Sequence, residues 1–90
     1  MKLFIYNGTV VNANGSKKTD VLIEDSIITH IGTDIIAGDD YRKINADGLL
    51  VIPGGIDPHT HLEMPLGDLR TADGFEDGGK AALSGGTTTI

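Results

Sequence analysis

Through the first fifty residues, apolar and polar positions alternate in short runs, and each run ends on turn-forming residues. Leu3-Phe4-Ile5-Tyr6 predicts a strand, Asn7-Gly8 a turn, and Thr9-Val10-Val11 the next strand. Residues 12–16 (NANGS) read as a polar loop. Residues 20–24 (DVLIE) and 27–31 (IITHI) flank Asp25-Ser26 and predict a hairpin. Asp39-Asp40 opens a loop before residues 41–46, and Asp47-Gly48 turns the chain into Leu49-Leu50-Val51-Ile52. Short strands at this spacing predict an all-β sheet or half-sandwich over residues 1–52.

The pattern changes after Ile52. Pro53-Gly54-Gly55 interrupts the strand, residues 56–61 resume alternation, and residues 62–71 read as a loop holding Pro65 and Gly67. Residues 71–84 predict a helix, with Thr71 as N-cap, Asp73 and Glu76 at its positive end and Gly85-Gly86 as its stop. Phe75, Gly79, Ala82 and Leu83 share one helical face. Gly74, Gly78 and Gly79 oppose that reading, since each glycine costs up to about 1 kcal/mol relative to alanine. Thr87-Thr88-Thr89-Ile90 is β-branched and predicts a strand. Strand, helix and strand in this order predict a parallel βαβ unit over residues 53–90, and its closing at Ile90 suggests the beginning of a longer protein.

Composition narrows the function classes. Seven basic residues against thirteen acidic ones give a net charge of −6, with no basic run longer than two residues. That is not the footprint of a nucleic-acid or anionic-membrane binder. There is no cysteine, which rules out disulfides and thiolate metal ligands. No segment approaches the roughly 18–20 apolar residues of a membrane span, nor does MKLFIYNG offer a secretory signal core. A cytoplasmic location is expected.

The segment VIPGGIDPHTHLEMP, residues 51–65, carries the chemistry: two of the three histidines stand at alternate positions, two residues after Asp57. On a strand, positions 57, 59 and 61 point to one side, about 6.5–7 Å apart between successive Cα atoms. His59 and His61 could then converge on one metal ion, with Asp57 orienting an imidazole or approaching the ion itself. The plainer alternative is a pair of exposed histidines beside a turn. A catalytic metal commonly has three protein ligands plus water, so further ligands are expected outside these residues. His30 reads as a surface strand histidine. Gly85-Gly86-Thr87-Thr88 precedes a strand and lacks a P-loop lysine, so it is no phosphate cradle.

Taken together, LFIYNGTVVNANG, NADGLLVIPGGIDPHTHLEMP and TADGFEDGGKAALSGGTTTI resemble the start of the cyclic amidohydrolases, most closely the D-hydantoinase/dihydropyrimidinase group. The resemblance runs over essentially the whole chain. It implies the N-terminal part of a small β-sandwich (1–52) followed by the first strand, loop, helix and second strand of a TIM-like barrel (53–90). It also implies a centre of two zinc ions bridged by a carbamylated lysine, with His59 and His61 as ligands of one ion and Asp57 as their support. Lys80 falls in the helix and does not match that lysine, which the resemblance places outside this chain together with the catalytic aspartate and two further histidines. Met64 and Leu66 would line the loop that meets the exocyclic side chain of a small cyclic amide. Glu63 departs from the arginine or asparagine that related dihydroorotases and allantoinases tend to carry there. The implied reaction opens a hydantoin or dihydropyrimidine to an N-carbamoyl amino acid, in a homo-oligomer that is a tetramer in the family.

Other classes compete. A non-catalytic dihydropyrimidinase-related scaffold would share the fold, although those relatives tend to lose the second histidine, which is present here as His61. An allantoinase, a dihydroorotase and a free-standing β-rich binding module are further alternatives. No catalytic residue is expected within the ninety, and the chain alone is expected to be inactive.

Overall fold

The computed structural model describes residues 1–90, which divide into two compact units, Met1–Pro53 and Gly54–Ile90.

The first unit holds seven strands: β1 (Lys2–Tyr6), β2 (Thr9–Asn12), β3 (Gly15–Lys18), β4 (Asp20–Glu24), β5 (Ile27–Gly32), β6 (Arg42–Asn45) and β7 (Leu50–Val51). They form a four-stranded sheet in the order β5-β4-β1-β6 and a three-stranded sheet in the order β3-β2-β7. The orders correspond. β1 runs on into β2, β3 into β4 and β6 into β7, so three neighbouring chain segments pass together from one sheet to the other. Asn7-Gly8 therefore does not close a hairpin; it is the bend through which β1 becomes β2. Asn7 takes φ 62°, a left-handed conformation that asparagine tolerates better than most residues.

The bend fixes its residues sterically. The Thr19 amide donates to Gly8 O (3.2 Å) and the Ala46 amide to Tyr6 O (2.8 Å), which ties the three crossings together. A Cβ on Gly8 would lie 2.6 Å from Val51 Cγ2 and 3.0 Å from Ala46 Cβ, so only glycine fits this close approach. Thr19 and Ala46 are buried at the same corner, and the other buried side chains are Phe4, Val21 and Leu22 on the central strands β1 and β4.

Two hairpins carry the turns. Asp25 and Ser26 both have positive φ (48° and 68°), the geometry of a two-residue turn whose twist matches its flanking strands. The segment expected to be a polar loop, residues 12–16, instead makes a second hairpin, since β2 pairs antiparallel with β3 across Ala13-Asn14. Gly-Ser-Lys-Lys has no apolar alternation because every residue of β3 is exposed. Lysines on an edge strand oppose unwanted pairing.

The second unit begins with β8 (Gly55–Ile56) and continues through β9 (Pro65–Leu66), β10 (Leu69–Arg70), α1 (Phe75–Ser84) and β11 (Thr87–Thr89). β8 and β11 pair in parallel with the helix between them in the chain, a βαβ connection. Three expectations are corrected here. The strand over residues 56–61 stops at Ile56: after the Asp57 amide donates to Thr89 O (2.8 Å), Pro58 has no N–H to continue the ladder. Residues 65–70 form a short hairpin turning on Gly67 at φ 64° rather than an open loop. The helix starts at Phe75 with Gly74 as N-cap, four residues later than expected, so Thr71 is not its cap. Glu76 and Asp77 occupy the first turn, and Gly85 and Gly86 end the helix by donating to Ala81, Ala82 and Leu83 carbonyls. No helix is long and apolar enough to cross a membrane.

Candidate functional site

Although residues 57–61 leave the sheet, they bring the two imidazoles together. His59 Nε2 and His61 Nε2 lie 2.9 Å apart, with ring centroids 4.9 Å apart and planes inclined by 60°. Both rings are exposed. The convergence does not come from strand alternation. It comes from a turn whose first bond is an Asp57 Oδ1 that accepts the His59 amide (3.1 Å). An aspartate bonding the amide two residues on is a standard way to set a turn, and here it spans Pro58. Asp57 thus acts on the backbone of His59 rather than on an imidazole.

The next segment is tied down at several points. The Met64 amide donates to Thr71 Oγ1 (3.0 Å), and the Thr71 amide donates to Met64 O (3.0 Å). The Glu63 amide donates to Asp73 O (3.1 Å), with Glu63 held at φ 51°. Leu62 packs onto Gly78 and the Glu63 carboxylate onto Gly74, each in space that a Cβ would occupy. The Met64 sulfur rests against His61 Nδ1. Of the two expected substrate-loop residues, Met64 is half-buried and turned towards His61, whereas Leu66 is exposed.

Sequence reasoning missed Thr71, Leu62 and the left-handed Glu63 as builders of this region. One signal was available: the glycines that look costly in a helix are where the preceding loop approaches it. Lys80 pairs with Glu76 at 2.6 Å along the helix, and His30 is exposed on β5.

The donor set bears on a metal. Two nitrogens, each about 2.0–2.1 Å from a tetrahedral zinc, lie about 3.3 Å apart, so 2.9 Å needs only a small opening of the pair. Nowhere does the chain gather three or more His, Asp or Glu residues into a possible metal cluster. The pair therefore fits part of a site, one donor short of the usual catalytic three.

A parallel βαβ unit whose first strand delivers paired histidines defines a class of hydrolase-like α/β segment, and comparison with known proteins narrows it. No family model matches the chain. It is 48% identical to a D-phenylhydantoinase of Escherichia coli (strain SE11) over 90 residues, which are all of this chain and 20% of that protein. A dihydropyrimidinase from Brevibacillus agri matches at 50% identity and a TM-score of 0.88, over 97% of this chain and 19% of that one. A D-hydantoinase structure matches at 49% identity and a TM-score of 0.91, over 100% of this chain and 19% of that one. The chain is an N-terminal segment of the D-hydantoinase/dihydropyrimidinase family of cyclic amidohydrolases, spanning about a fifth of the length of the relatives it matches.

Proposed function

We propose that the chain is the part of a metal-dependent cyclic amidase that supplies the first two metal ligands, His59 and His61, and the loop beside them. Residues 1–52 are then the N-terminal part of a small β-sandwich and residues 53–90 the opening strand, loop, helix and strand of a barrel. The reaction is the opening of a hydantoin or dihydropyrimidine to an N-carbamoyl amino acid, the chemistry that hydantoinase names denote. The observation that carries the reading is the 2.9 Å approach of the two Nε2 atoms on one side of the chain.

Each residue has a part in it. Asp57 sets the turn that aims His59, and Met64 and Leu66 present apolar surface to a substituent on the substrate ring. The chemistry that zinc supplies when bound is polarisation of an amide carbonyl and acidification of water to near neutral pH. The second zinc, the carbamylated lysine and the group that protonates the leaving nitrogen belong to residues outside these ninety, so the chain alone is inactive. A cytoplasmic location and homo-oligomeric assembly complete the proposal.

The test is a cobalt(II) or zinc titration of the chain and its variants. Weak binding that is lost in His59→Ala and His61→Ala but kept in His30→Ala is the expected result. Equal binding by all four proteins would remove the ligand assignment, and metal-dependent hydrolysis of dihydrouracil by the chain alone would refute its inactivity.

A further inference from the structure

We infer that Met64 is a positioning residue that holds the ring proton of His61 on Nδ1 and so leaves Nε2 bare towards His59. The two nitrogens of His61 have different neighbours: the Met64 sulfur at Nδ1, and His59 Nε2 at 2.9 Å from Nε2. A neutral imidazole has one N–H to give. With the proton on Nδ1, the N–H points at a polarisable sulfur acceptor, and the bare Nε2 accepts from the Nε2–H of His59. With the proton on Nε2, the Nδ1 lone pair faces the lone pairs of sulfur, and that contact is repulsive. The first arrangement makes a directed chain of hydrogen bonds from His59 through His61 to Met64. The second makes one bond and one clash.

The sulfur can impose this choice because Met64 is itself immobilised. Its amide and carbonyl both pair with Thr71, at 3.0 Å each, so the side chain leaves from a fixed point. A ligand histidine usually gives its second N–H to a carboxylate or carbonyl, which fixes both tautomer and ring orientation. Here a thioether fills that place. The inference rests on the proposed function in one respect only, that the bare Nε2 is the atom directed at a metal.

Long-range proton–nitrogen NMR spectra of the 15N-labelled, metal-free chain, under conditions where the rings are neutral, read the tautomer directly. His61 is expected to show a protonated Nδ1 and a bare Nε2. In Met64→Leu, similar in size but without an acceptor, His61 shifts towards the Nε2–H form, and Met64→Gln, which restores an acceptor oxygen, shifts it back. Cobalt(II) affinity falls about 10-fold in Met64→Leu, the lower end of what losing such an outer partner costs a ligand histidine, and recovers in Met64→Gln. Nε2–H on His61 in the wild-type chain, or unchanged ring signals in Met64→Leu, overturns the inference even if cobalt still binds the histidine pair. Ring signals that move as expected in a chain that binds no cobalt uphold it and remove the metal reading instead.

Discussion

A Cβ placed on Gly78 would lie 2.4 Å from Leu62 Cδ2, so helix α1 omits a side chain where the segment after the histidine pair lies against it. The glycine is a docking surface at a position where helix propensity alone favours alanine. Gly79, the next residue, has nothing within 4 Å of its would-be Cβ. The two glycines should therefore respond differently. Gly79→Ala is expected to stabilise the second unit by about 0.5–1 kcal/mol, the ordinary helix gain. Gly78→Ala makes the same gain but displaces Leu62, and its net effect is smaller or reversed. Hydrogen exchange separates the cases: protection of the Glu63 amide, bonded to Asp73 O, falls in Gly78→Ala and holds in Gly79→Ala. Equal behaviour of both variants would show that Leu62 does not rely on Gly78.

The corner of the first unit makes a sharper steric demand. Gly8→Ala sets a methyl 2.6 Å from Val51 Cγ2, a branched side chain with little freedom to withdraw. Overpacking of this kind costs about 1–3 kcal/mol. Val51→Ala in the same chain removes the atom that clashes, so a double-mutant cycle in urea should show strong coupling between the sites. Additive effects would place the cause of the Gly8 requirement elsewhere.

The pH dependence of the first unit follows from an exposed cluster. Lys2 Nζ donates to Asp40 Oδ2 at 2.6 Å, and Tyr41 OH donates to Glu24. The hydrogen bond from Lys2 lowers Asp40 below its ordinary 3.8, and the same bond raises Lys2 above 10.5. The bond to Glu24 raises Tyr41 above 10.0. For Asp40, the folded form is favoured when ionised, so its contribution is present above 3.8 and lost as pH falls through the lowered value. For Lys2 and Tyr41, the folded form is favoured when protonated, so theirs is present below 10.5 and 10.0 and lost as pH rises through the raised values. Denaturant midpoints across pH should fall at both ends. Tyr41→Phe flattens the alkaline limb alone, whereas Asp40→Asn flattens the acid limb and the Lys2 part of the alkaline one. Exposure keeps these effects small, and raising the salt concentration should shrink the ion-pair part further.

What the sequence disclosed, and what it withheld, has a physical pattern. Strands β1, β4 and β5 were legible because apolar residues marked them, and the Asp25-Ser26 turn because it lay between two such runs. β3 was hidden by its solvent exposure. The helix start was misplaced because Thr71, a good capping residue by type, spends its hydroxyl on the Met64 amide instead. At the site, alternation suggested that His59 and His61 share a side, and their rings do meet, but through a turn around Pro58 rather than a strand. Periodicity describes regular backbone. It cannot anticipate a side chain such as Asp57 replacing the ladder with a bond of its own.

Strand β5 shows how one irregularity reshapes a surface. Its pairing with β4 shifts register between Leu22 and Ile23, so that Ile23 faces Ile28 and Val21 faces Ile31. The extra residue, Thr29, donates its hydroxyl to Leu22 O at 3.3 Å. A three-residue step between Ile28 and Ile31 therefore returns both to one face, where strict alternation would separate them. With Ile5 opposite both Val21 and Ile44, a row of β-branched aliphatics runs Ile31-Val21-Ile5-Ile44 across the whole sheet. Val21 is buried, but Ile31 is 60% and Ile28 59% exposed, on an edge strand with no charged residue. An uncharged apolar edge of this kind invites pairing with another chain. Sedimentation of the chain should show concentration-dependent self-association that Ile31→Lys weakens. Because Ile31 is already largely in water, the substitution should leave the thermal unfolding of the first unit nearly unchanged. A wild-type chain that stays monomeric at high concentration, or an Ile31→Lys variant that associates equally well, would show that this row of side chains does not drive assembly.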